Sequence, residues 1–130
     1  MQIHQSAEDY LETILMLTQR MGRVRSIDVV NELGYTKASV SIAMKKLREN
    51  GYIAVDGEGN LTLLEPGREI AERIYSRHRL LTHFFIQLGV DEKTAAEDAC
   101  KAEHILSEET LEKIRERAVE TDAELAAKPE

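Results

Sequence analysis

A chain of 130 residues, 42% of them hydrophobic, can bury one compact core or two small ones. Aromatic residues make up only 5% and tryptophan is absent, so that core must be built from Leu, Ile, Val and Ala, as in a helical protein. The net charge of −7 argues against indiscriminate nucleic-acid binding, the single cysteine excludes an intramolecular disulfide, and no run approaches the ~20 apolar residues of a membrane span.

Ser6-Ala7-Glu8-Asp9 matches a capping box and opens a first helix that runs to about Arg20, with Leu11, Ile14, Leu15 and Thr18 as its apolar stripe. Gly22 ends it. Ser26 is the expected cap of a short second helix through Val29, Val30 and Leu33, closed by Gly34. Thr36 caps a third, whose inward face is Val40, Ala43, Met44 and Leu47 and whose end is marked by Asn50 and Gly51. Tyr52–Val55 and Leu61–Leu64 are short β-prone runs. The turn formers from Asp56 to Asn60 join them into a hairpin. Pro66 sits in the first turn of a fourth helix reaching about Leu88, which buries Ile70, Ile74, Leu81, Phe84 and Phe85. Asp91 caps a fifth helix to about Ile105. Ser107 caps a sixth that frays into the polar stretch from Asp122 to Glu130. The fold class expected is therefore mainly α: three helices and a β-hairpin over residues 1–66, then a helical region over 67–130.

Helix, short helix, tight turn, helix and hairpin is the order of a winged helix-turn-helix, whose third helix enters the DNA major groove. Residues 20–50 hold seven basic and three acidic side chains, whereas residues 89–130 hold six basic and thirteen acidic ones and so carry the whole net charge. The N-terminal part suits phosphates and the C-terminal part does not. Opposite its buried face the third helix presents Thr36, Lys37, Ala38, Ser39, Ser41, Ile42 and Lys45. The hydroxyls suit phosphates and base edges, Ala38 and Ile42 suit thymine methyls, and Lys37, Lys45, Lys46 and the preceding Arg25 suit phosphates. An amphipathic helix with a solvated polar face would look the same in isolation; the hairpin and the local positive charge favour DNA.

Cys100, Glu103 and His104 put three metal-type ligands on one helix face, at spacing i, i+3, i+4. Asp9 and Glu12 lie one turn apart upstream, and His78 follows the inward-pointing Ile74 by one turn. Taken singly, each has an ordinary explanation: a core histidine, an inert small cysteine, carboxylates complementing a helix dipole. Together they offer up to six N, O and S donors, enough for one octahedral ion or two ions sharing bridging carboxylates. His4, His83, Met16 and Glu97 are weaker candidates.

The run from Ser6 to Ile14, the winged helix, Tyr75-Ser76-Arg77-His78-Arg79-Leu80-Leu81 and the run from Cys100 to Ser107 resemble the diphtheria-toxin-repressor family of metal-dependent transcriptional repressors, nearly throughout the chain to about residue 118. The resemblance implies a homodimer binding double-stranded operator DNA, with residues 67–130 as the dimerisation and metal-binding domain, the fifth helix at the dimer interface, and divalent metal activating the repressor. By position, Asp9, Glu12, His78, Glu103 and His104 look like the ligands of the manganese-responsive branch, which lacks the third domain of the iron-responsive members; this chain is also too short to hold it. Position 100 departs, because the manganese branch has glutamate there and the iron branch cysteine, while the iron branch has methionine in place of Asp9. Such a hybrid site leaves Fe²⁺ and Mn²⁺ open, with Co²⁺, Ni²⁺ or Zn²⁺ also compatible with a thiolate. The expected function is a cytoplasmic, metal-activated repressor controlling iron or manganese homeostasis, with no membrane partner and no small organic substrate. The polar start of the chain, too short for a signal peptide, agrees with that location. The alternative is a winged-helix regulator answering an organic ligand or Cys100 oxidation. An enzyme is disfavoured, since no oxyanion site or Gly-rich phosphate loop is legible.

Overall fold

The computed structural model describes the backbone of residues 5–126 and the side chains of residues 5–118, so His4 lies outside the described residues. Among these residues the order is α1 (Gln5–Met21), α2 (Ser26–Leu33), α3 (Lys37–Glu49), β1 (Ile53–Val55), β2 (Leu61–Leu63), α4 (Glu65–Gln87), α5 (Glu92–Ala102) and α6 (Glu108–Ala126). Two compact units divide between Arg73 and Ile74, inside α4.

The first unit is the three-helix-and-hairpin arrangement read from the sequence. Its core is aliphatic: Leu11, Ile14 and Leu17 of α1, Val24, Val29 of α2, Val40 and Leu47 of α3, and Ile53 of β1 are all essentially buried. Thr36 caps α3 as expected, its hydroxyl accepting from Ser39 N at 3.1 Å. The cap of α2 differs. Arg25 occupies that position, Ser26 is already helical, and the Asp28 carboxylate reaches back to accept from Arg25 N at 2.9 Å. Thr18 is exposed rather than part of the stripe, and its hydroxyl donates to Ile14 O at 2.6 Å, satisfying itself along the helix.

β1 and β2 pair antiparallel with Ile53 opposite Leu63 and Val55 opposite Leu61. Alternation puts Leu61 and Leu63 inward and Thr62 outward. Leu61 N also donates to Val24 O at 2.7 Å, and Arg25 forms a lone bridge with Asn60, so the segment before α2 lies along the hairpin. Asp56 shapes the hairpin tip, accepting from Glu58 N at 2.8 Å, Asn60 N at 2.9 Å and the Asn60 side-chain amide at 3.0 Å. Gly59 follows at φ 85°, a conformation other residues resist. At the start of α4, Gly67 is buried directly against the Tyr52 carbonyl and beside Leu11.

In the second unit Leu81 of α4, Ala99 of α5 and Leu111 of α6 form the buried centre, with Leu80, Phe85, Ala102, Leu106 and Ile114 packed around it. Alanines at 95 and 99, both fully buried, give α5 a smooth inner face. Asp91 caps α5 by accepting from Lys93 N at 3.1 Å, and Ser107 caps α6 by accepting from Thr110 N at 3.1 Å, both as expected. Helix α5 stops at Ala102 rather than Ile105, with Glu103 as its C-cap, still at helical φ and ψ, and a turn through His104. Helix α6 continues to Ala126, beyond the expected fraying at Asp122.

Candidate metal centre and DNA-binding face

The first unit presents its polar face on α3. Burying Val40, Met44 and Leu47 on one side leaves Lys37, Ala38, Ser39, Ser41, Ile42, Lys45 and Lys46 exposed on the other, with Thr36 at the cap. Ile42 is 59% exposed, an apolar side chain with nothing in this unit to cover it. The Thr36 and Ser39 hydroxyls are tied to each other at 2.9 Å, which fixes their orientation at the helix N-terminus. Lys45 lies 3.9 Å from Glu49. Arg25 is also exposed, and its guanidinium lies over Gly59 at the hairpin tip. Ser26, Ser41, Ile42, Lys45, Arg48 and Val55 line a shallow pocket where the start of α2, α3 and β1 meet. Arg48 thereby joins the same face, although its place at the end of the helix hid it behind the periodic pattern.

On α1 of this unit, Asp9 is half-buried and Glu12 is only 6% exposed. A carboxylate so far from water requires compensation of its charge. Between them Tyr10 packs edge-on against Tyr35, ring centres 5.9 Å apart, in the turn that precedes α3. Burial, with Tyr35 and Asp9 nearby, raises the Tyr10 phenol above its usual pKa.

In the second unit the Glu103 carboxylate is fully buried between two imidazoles. His78 Nδ1 lies 3.0 Å from Oε2 and His104 Nε2 lies 3.4 Å from Oε1, and the side chain of His104 is itself 1% exposed. Oε1 forms no hydrogen bond. His78 comes from α4, whereas Glu103 and His104 come from the end of α5 and the turn after it. Cys100 is exposed, one helical turn before Glu103; the Glu103 N–H still bonds Ala99 O at 2.9 Å, so the helical register from 100 to 103 is kept. Of the weaker candidates, His83 is half-buried and Glu97 and Met16 are exposed. The donor set, one carboxylate and two imidazoles with an oxygen still lacking a hydrogen bond, fits a divalent ion such as Mn²⁺ or Fe²⁺.

One residue at this site was not singled out in the sequence. Arg77, next to His78, donates to the Glu103 carbonyl at 3.3 Å and pairs with the Glu108 carboxylate. Its signals in the sequence were its place beside a candidate ligand and within the Tyr75–Leu81 run, and neither gives it a role.

Two family models cover almost the whole chain. Residues 2–61 match the iron dependent repressor N-terminal DNA binding domain, and residues 64–122 match the iron dependent repressor metal binding and dimerisation domain. The chain belongs to the iron-dependent repressor family. It is 38% identical over 113 residues to an HTH-type transcriptional regulator of Methanocaldococcus jannaschii, covering 85% of this chain and 90% of the relative. It is 33% identical to the HTH-type transcriptional regulator MntR of Lysinibacillus sphaericus, covering 84% of this chain and 78% of that one. Among solved structures, a manganese-dependent transcriptional repressor in complex with manganese superposes with a TM-score of 0.78 at 27% identity, over 85% of this chain and 51% of the other. The chain spans about half the length of the solved repressors it matches. These are the metal-dependent repressors that the motifs resemble, and the winged helix-turn-helix followed by a helical domain is their architecture. Among the described residues no helix is long and apolar enough to cross a membrane.

Proposed function

We propose that this repressor-family chain is a cytoplasmic, divalent-metal-activated repressor that binds operator DNA as a homodimer and controls iron or manganese homeostasis. The observation that carries the reading is the buried Glu103 carboxylate flanked by His78 and His104, a ligand set with no role in a plain winged-helix protein. Asp9, Glu12, His78, Cys100, Glu103 and His104 are the proposed ligands. The acidic ones repel one another until a cation neutralises them, so metal binding and ordering of their helices are linked. A bound divalent ion would supply the positive charge that offsets these carboxylates. This chain's own residues do the rest: Thr36, Lys37, Ala38, Ser39, Ser41, Ile42, Lys45, Lys46 and Arg25 contact the operator, and the dimer sets the distance between two recognition helices. Leu88 and Ile105, 67% and 74% exposed on the second unit, support burial against a second copy. We read the chain as a DNA-binding regulator rather than an enzyme, with no small organic substrate, because its family models describe DNA-binding and metal-binding domains.

The test is fluorescence anisotropy of a labelled operator fragment with apo-protein, with Mn²⁺ and, anaerobically, with Fe²⁺. Operator affinity should rise by at least an order of magnitude with metal in the wild type and not in Glu103→Gln. Equal affinity with and without metal, or insensitivity to a chelator, would leave the exposed Cys100 as the better clue and favour a regulator answering oxidation or an organic ligand.

A further inference from the structure

Helix α4 holds residue 103 by both of its ends. His78 meets the Glu103 carboxylate at 3.0 Å, and Arg77, the residue before it, donates from Nη1 to the Glu103 carbonyl at 3.3 Å. That carbonyl belongs to the last turn of α5, where helical geometry leaves carbonyls without partners and a cation complements the dipole. The other arm of the same guanidinium, Nη2, pairs with Glu108, the first residue of α6. One side chain, 15% exposed, therefore pins both ends of the turn that carries His104: the end of α5 and the start of α6. Guanidinium suits this task because its planar fork serves two acceptors at once in fixed directions.

We infer that Arg77 is a positioning residue for metal binding, holding Glu103 and His104 in ligating geometry by bridging the Glu103 carbonyl and Glu108. This rests on the reading of Glu103 and His104 as ligands. The sign of the effect separates positioning from simple electrostatics. A cation beside a metal site repels the metal, so a role through charge alone predicts tighter binding once Arg77 is removed. Positioning predicts weaker binding, on the scale of about 10–100-fold known for groups that orient metal ligands. Because Arg77 is assigned no contact with metal or DNA, the loss is recovered at saturating metal.

The experiment is a Mn²⁺ titration of the apo-protein, following free Mn²⁺ by electron paramagnetic resonance, for wild type, Arg77→Met, Arg77→Lys and Glu103→Gln, with thermal melts of each apo form. Arg77→Met should bind Mn²⁺ about 10–100-fold more weakly at an apo melting temperature close to that of wild type. Arg77→Lys, which keeps the charge but not the fork, should fall between, and operator binding by both should return to the wild-type level at saturating Mn²⁺. Unchanged or tighter Mn²⁺ binding by Arg77→Met overturns the inference, and so does a loss matched by a large drop in apo stability. If Arg77→Met does not fold, a several-fold loss in Arg77→Lys at wild-type stability carries the inference, and wild-type affinity there overturns it. Wild-type Mn²⁺ binding that is unaffected by Glu103→Gln defeats the ligand reading itself and the inference with it.

Discussion

At the level of single residues, two positions expose how local chemistry is set by what lies opposite. Gly67 is in the first turn of α4, where alanine would ordinarily be favoured by about 0.5–1 kcal/mol. Its missing side chain is what lets the helix sit directly on the Tyr52 carbonyl, so a methyl group there meets backbone that cannot move aside easily. The clash outweighs the propensity. Gly67→Ala should destabilise the protein by about 1–3 kcal/mol, read as a lower urea midpoint, and a rise in the midpoint would refute the packing argument. Cys100 is the complementary case. It lies one helical turn before Glu103 and is exposed, whereas the Glu103 carboxylate and the His104 ring are buried. As a proposed ligand it should give an intense thiolate-to-cobalt charge-transfer band when reduced apo-protein is titrated with Co²⁺ without oxygen, and Cys100→Ser should lose that band. Weak ligand-field bands alone in the wild type would assign the ion to oxygen and nitrogen donors and remove Cys100 from the set.

At the level of elements, the hairpin tip is held by one carboxylate. Asp56 accepts from the backbone and side chain of Asn60, and from Glu58 N, and these bonds hold its pKa below the usual carboxylate value. A depressed folded pKa means that the folded tip binds the proton less readily than the unfolded chain does. Its stabilisation is therefore complete above the unfolded value of about 4 and is lost as pH falls through the lower folded value. Protection of the Glu58 and Asn60 amides, measured as exchange relative to the intrinsic rate at each pH, should fall on acidification below that point before α3 is affected; simultaneous loss of both would show that the tip has no separate transition. Gly and Asp at the tip made the hairpin legible in the sequence, as did the caps at Thr36, Asp91 and Ser107, because turn and cap chemistry is local. What was hidden depends on partners far along the chain. The Arg25–Asn60 bridge joins residues 35 apart, the Asp28 carboxylate displaced Ser26 as the device that starts α2, and Arg77 acquires its meaning only from Glu103 and Glu108. The candidate ligands could be named because metal donors are chemically distinctive. Which of them are buried depends on packing, which put Glu103 at 0% exposure and Cys100 outside.

For the whole molecule, a net charge of −7 has to coexist with the proposed DNA binding, and the separation of charge along the chain is compatible with it. The acidic excess lies in residues 89–130, while the exposed face of α3 carries Lys37, Lys45 and Lys46. If metal acts by ordering the protein and the lysines act by neutralising phosphates, the two contributions should be separable by mutation. Lys45 is compromised as a probe because it lies 3.9 Å from Glu49, so Lys37, in the first turn of α3, is the cleaner choice. Removing one lysine–phosphate pairing should lower the slope of log operator affinity against log salt by about 0.9, so Lys37→Ala should flatten it by about 2 for a dimer with two recognition helices. The same variant should bind Mn²⁺ as tightly as wild type in the absence of DNA, since Lys37 lies outside the proposed ligand set. Glu103→Gln should do the reverse, weakening Mn²⁺ binding while keeping the salt slope of whatever complex forms at saturating metal. A Lys37→Ala protein with altered Mn²⁺ affinity, or one with an unchanged salt slope, would mean that α3 does not meet DNA in the way proposed.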